Sequence, residues 1–240
     1  MTVPTTALGF VDWEAHVEVW LLVVGVIVLG LYASRVIGPK VVTGDEPITT
    51  NRQRFFFWAG VVVLWVSSDW PMHDVSEEQL YSVHMVQHFL ISFVVPPLFL
   101  LATPTWLARL LIERDSATSL WLRRLSRPVA AGVLFNAVVI FTHWPTIVNL
   151  SVESGSFHYT VHVLVVASAL LMWMPVCGPI PEWRISMPAQ MVYLFLMSIV
   201  PTVPPAWLTL AENPVYAAYD HGQRLWASGW SATSRRRGCS

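Results

Sequence analysis

YSVHMVQHFLISFVVPPLFLL, residues 81–101, decides how this chain must be read. The run is apolar and of bilayer length, since a spanning helix needs about 20 mostly apolar residues. Yet it opens with two ionisable imidazoles, His84 and His88. Spaced i and i+4, they project from one face of a helix and lie within reach of a single ion. An ionisable group at membrane depth is costly enough to be read as functional by default. For one such pair, hydrogen bonding between helices or to headgroups is an equally good reading, so the remaining histidines must decide.

Composition supports a membrane setting. Hydrophobic residues make up 55% of the 240, charged residues only 12%, and 13 are Trp; the mean hydropathy is +0.54. These values lie outside the range of soluble globular domains. A formal net charge of −1 gives no basic excess for phosphates, which argues against nucleic acid as a partner. Cys177 and Cys239 are too few and too far apart for a disulfide framework or a CxxC redox motif.

Apolar stretches at 16–37, 54–70, 81–103, 128–150, 158–177 and 187–209 predict an all-α, polytopic transmembrane bundle of about six spanning helices. The N-terminal MTVPTTALGFVDWEAH lacks the basic region and small-residue cleavage site of a secretory signal, so the first span is expected to be retained. Short connections predict one domain over 1–210, followed by an irregular tail over 211–240.

Basic residues set the orientation. Arg35, Lys40, Arg52 and Arg54 mark the first loop, Arg109, Arg114, Arg123, Arg124 and Arg127 the third, and Arg184 the fifth. The N-terminal segment and the second and fourth loops carry none. The positive-inside rule then predicts an N-terminus outside the cytoplasm. In the third loop Leu and Trp alternate with Arg at roughly helical spacing, which suits a helix lying along the inner headgroups as well as a solvated linker.

With that topology, seven of the eight histidines fall on the outer side: His16, His73, His84, His88, His143, His158 and His162. His158 and His162 repeat the i, i+4 spacing. Two such faces meeting in a bundle, with His143 at the same level, would supply several nitrogens to one metal, because neutral imidazole is the commonest side-chain metal ligand. Imidazole suits zinc, copper and iron, while thioether favours Cu(I), which brings in Met72 beside His73. Asp69 could accept from the outer N–H of a ligating imidazole or be a solvated loop charge. The inner-half methionines Met172, Met174, Met187 and Met191 are read as gap-filling packing. Pro96, Pro97, Pro201, Pro204 and Pro205 remove backbone donors and free carbonyls that must find other partners.

Three segments carry a resemblance. HMVQHFLISFVVPPLFLLATP (84–104), FTHWPTIVNL (141–150) and FHYTVHVLVVASALLMWMPVCG (157–178) resemble, in order and spacing, the His-Met-x-x-His helix, the His-x-Pro segment and the paired-His helix of the caa3-type cytochrome c oxidase assembly factor family. The resemblance implies a multi-pass protein of the bacterial plasma membrane that matures a haem-copper oxidase by handling copper on the outer face, and no enzyme. It implies cytochrome c oxidase subunits, copper donor proteins and the lipid bilayer as partners. The family's histidines fall on His84, His88, His143, His158 and His162, the set also reached by sidedness. Members usually continue past the sixth span with an Asp-Gln segment and another apolar helix, whereas here YDHGQRLWASGWSATSRRRGCS (219–240) follows, which predicts a truncated or divergent tail. Two other functions fit the histidines: a copper or other metal transporter, which would need ligands continuing through the membrane, and a haem-binding electron carrier with axial His from two helices.

Overall fold

The computed structural model describes residues 16–44, 46–69, 72, 81–112 and 117–210. Among them the chain is helical, with no strand. Three helices are long and apolar enough to cross a membrane: α1 (Val17–Val41), most of α3 (81–102; the apolar part Val83–Ala102) and α8 (Gly155–Cys177). Between α1 and α3 lies α2 (Asn51–Ser68). Two short helices follow α3, α4 (Thr105–Ile112) and α5 (Ala117–Leu125), and then α6 (Pro128–Thr142) and α7 (Pro145–Glu153). The last helix, α9, runs Met187–Leu210. The Ser119–Leu125 part of α5 meets α6 at an 80° bend, and the two make a fourth candidate span if taken together.

Local chemistry fixes several boundaries. Thr50 and Gln53 form a reciprocal capping box at the start of α2, with Gln53 N–H donating to Thr50 Oγ1 at 3.2 Å and Thr50 N–H donating to Gln53 Oε1 at 2.8 Å. Pro128 and Pro145 open α6 and α7, where a missing N–H costs nothing. Pro145 also corrects the expectation of one continuous helix over 128–150. A residue before proline is pushed out of the helical region, and Trp144 accordingly takes ψ 132° and splits the stretch in two.

The helices pack in the order α1, α2, α3, α8, α6, α9. One core joins Phe135 and Val139 of α6, Ala169 and Met172 of α8, and Tyr193 and Met197 of α9; another joins Val19 and Val23 of α1 to Val61 of α2. Buried positions include Ser67, Gln87, Ser92, Ala131, Thr142, Ser168 and Ala169, while Leu21, Leu29, Val129, Val163, Met191 and Phe195 stand exposed. Small and polar side chains share the interior with the apolar core while large apolar ones cover the outside, as in helices packed in lipid, where close backbone approach and interhelical hydrogen bonds add to the packing. Gly30 shows such an approach: a Cβ there would lie 2.5 Å from Phe57 Cζ.

Within α3 the turn Leu90–Val94 is π-helical, directly before Pro96 and Pro97. Neither proline can donate a backbone bond, so the carbonyl of Ser92 loses its partners four and five residues on. The indole of Trp173 on α8 supplies one instead, Nε1 donating to Ser92 O at 3.0 Å. The freed carbonyl expected from the two prolines thus binds α3 to α8.

The three basic connections meet at one end of the bundle. Trp106 Nε1 donates to Ile48 O at 2.9 Å, Thr105 Oγ1 donates to Pro179 O at 3.0 Å, and Arg109 pairs with Glu182 at 2.7 Å. The Arg123 guanidinium lies over the Trp183 ring. The helix ends bearing histidine gather at the opposite end.

Candidate metal centre

The site is built from three helix ends. His84 and His88 lie one turn apart on α3 with ring centroids 4.4 Å apart. His158 and His162 lie one turn apart at the start of α8, 4.3 Å apart. His143 caps the C-terminus of α6, where Pro145 has stopped the helix. His88 is the hub, with centroids 5.2 Å from His162 and 5.6 Å from His143; His84 and His162 are 6.5 Å apart. The structure therefore brings together all five histidines singled out by spacing and sidedness.

Hydrogen bonds sort the ring nitrogens. His143 Nδ1 is 2.8 Å from Val139 O; a carbonyl only accepts, so Nδ1 carries the proton and Nε2 keeps its lone pair. That Nε2 is buried. His158 Nδ1 meets Ser151 Oγ of α7 at 3.1 Å, and the Nε2 atoms of His158 and His162 and Nδ1 of His84 are likewise buried. In His143 and His158 one imidazole nitrogen is thus held by a hydrogen bond while the other is buried, an arrangement that metal-ligating histidine also uses. As the rings lie, no group of three His, Cys, Asp or Glu among the described residues is arranged to hold an ion.

The weaker candidates fall differently. Asp69 is buried at this end, but its carboxylate accepts from Trp65 Nε1 at 2.9 Å and stands 3.6 Å from His16 Nδ1, tying α2 to α1. Met72 is half-buried, and His73 lies outside the described residues. Sequence reasoning passed over Gln87, which is fully buried and lies between the two α3 histidines in sequence. It also passed over Ser151. The signal for Gln87 was available, since it lies three residues beyond His84 in an otherwise apolar run.

A family model described as the cytochrome c oxidase caa3 assembly factor matches residues 29–235. The chain belongs to that family. No curated protein and no solved structure matches it. The match takes in all five clustered histidines and extends, on both sides, beyond the segments in which the resemblance is legible. In this member of the family the histidine-bearing helix ends and the basic loops occupy opposite ends of one helical array.

Proposed function

We propose that this caa3 assembly factor takes copper as cargo at the five-imidazole array and passes it to an oxidase subunit during assembly. The observation carrying this reading is that His84, His88, His143, His158 and His162, spread over 79 residues of sequence, come from three helices to adjoining positions. Two imidazoles on one metal place their nitrogens within about 4 Å of each other, and centroid separations of 4.3–5.6 Å between neighbouring rings bring that within reach of side-chain rotation. Soft rotation of χ angles, with no backbone movement, is the step that converts the array into a ligand set. A labile ligand set of this kind suits a carrier that must also release its ion. Six apolar stretches of near-spanning length support six spans, and the positive-inside rule supports an outer N-terminus and an array on the outer face of a bacterial plasma membrane, where oxidase subunits and copper donor proteins would meet it.

The test is elemental analysis with an absorption spectrum of the purified protein, paired with oxidase maturation in His88→Ala and His162→Ala variants. Copper without a Soret band, lost in both variants together with oxidase activity while the protein remains in the membrane, is expected. A Soret band would favour a haem carrier. Normal oxidase activity in the double variant would reject the site.

A further inference from the structure

The basic end carries a feature that copper handling does not use. Helix α5 meets α6 at 80°, so if α6 crosses the bilayer, α5 runs along its surface. On α5 the side chains of Leu120 (58% exposed) and Trp121 (61%) stand out, with Leu125 also exposed. Arg123, Arg124 and Arg127 are exposed on the same helix and its end, and the Arg124 guanidinium lies over the Trp121 ring. By contrast, Ser119 and Ser126 are buried and turn toward the protein. No acidic residue occurs between 117 and 142; Glu113 and Asp115, between α4 and α5, lie outside the described residues.

We propose that α5 is an interfacial helix that recognises anionic phospholipid headgroups, with Leu120, Trp121 and Leu125 seated at the acyl boundary and Arg123, Arg124 and Arg127 meeting the lipid phosphates. An acidic protein surface would also meet the arginines. It gives no reason, however, for a leucine and a tryptophan to stand exposed beside them on a helix turned through 80°, whereas the headgroup boundary is apolar on one side and charged on the other. Arginine matches phosphate geometry through its planar, forked donors, and tryptophan is at home at the same depth. Each basic residue near an anionic surface contributes attraction that salt screens.

The experiment incubates the full chain in detergent with equimolar phosphatidylglycerol and phosphatidylcholine of matched acyl chains, repurifies it and quantifies bound lipid by mass spectrometry. Phosphatidylglycerol should be retained over phosphatidylcholine by at least about fivefold, with the preference falling at high salt. The Arg123→Gln/Arg124→Gln/Arg127→Gln variant should show no preference, and the corresponding triple Lys variant should keep it. Equal retention by the wild type, a preference unmoved in the Gln variant, or one lost in both variants would overturn the proposal. So would a photo-crosslinker at position 120 that captures protein rather than lipid in membranes.

Discussion

Trp173 makes a hydrogen bond that the backbone of α3 cannot make for itself. With Pro96 and Pro97 both lacking an N–H, Ser92 O depends on the indole 3.0 Å away. Trp173→Phe keeps most of the ring volume and removes the donor, so it should cost about 1–3 kcal/mol, the usual penalty for stranding a buried polar group. A thermal midpoint in detergent equal to that of the wild type would count against this role. Gly30→Ala should cost a similar ~1–3 kcal/mol, because the new methyl group meets the stiff ring of Phe57 rather than a flexible chain end. The sequence announced that the prolines would free a carbonyl. It could not name the donor, which sits 81 residues further on. Likewise the i, i+4 spacing of His84 and His88 was legible as geometry within one helix, whereas the hold of Val139 O on His143 depends on the helix ending at that residue, before Pro145.

At the scale of the element, the turn between α8 and α9 is held to α4 by Arg109 and Glu182. Glu182's own backbone N–H, and then the Arg109 guanidinium, hold its carboxyl below the ordinary carboxylate range. A lowered folded-state pKa means that the stabilisation is present above the unfolded-state value and is lost as pH falls through the folded one. Both side chains are well exposed, so the effect is small and salt-screened. Thermal midpoints of wild type and Glu182→Gln should differ slightly at neutral pH and converge below the carboxylate range. A gap that persists in acid would mean that the pair is not its source. Helix positions were readable from the length of apolar runs for α1, α2, α3, α8 and α9. The exception at 143–145 arose because an apolar count does not register that a proline denies the helix to the residue before it. The Leu and Trp interleaved with Arg in the third loop were legible as an amphipathic pattern, but the 80° turn between α5 and α6 was not.

Over the whole molecule, sidedness links the two ends. If the histidine end faces outward, Gly155→Cys should react with a membrane-impermeant maleimide in intact cells, and Arg127→Cys only after lysis, in a background with Cys177 and Cys239 replaced by Ser. The opposite pattern would invert the topology. Loop charge made legible that the basic connections share one end and the histidines the other, because each loop's composition can be read independently of how the helices pack. Which helices neighbour one another was not legible, and so neither was the pairing of Asp69 with His16, which required α1 and α2 to be adjacent. The π-turn at Leu90–Val94 has a consequence for the upper part of α3. Five residues of a wide turn sweep about the same azimuth as four α-helical residues offset by about 100° each, so excising one residue there would let the turn close into regular α-helix with 81–89 facing as before, whereas excising two would rotate 81–89 by about 100° against a fixed lower half. Hydrophobicity and span length would hardly change in either case, yet after the second excision His84 and His88 would swing away from His143 and His162. The wide turn thus tolerates the loss of one residue but not of two: both deletions through 90–94 should leave the protein in the membrane, and only the single one should keep the metal content of the wild type.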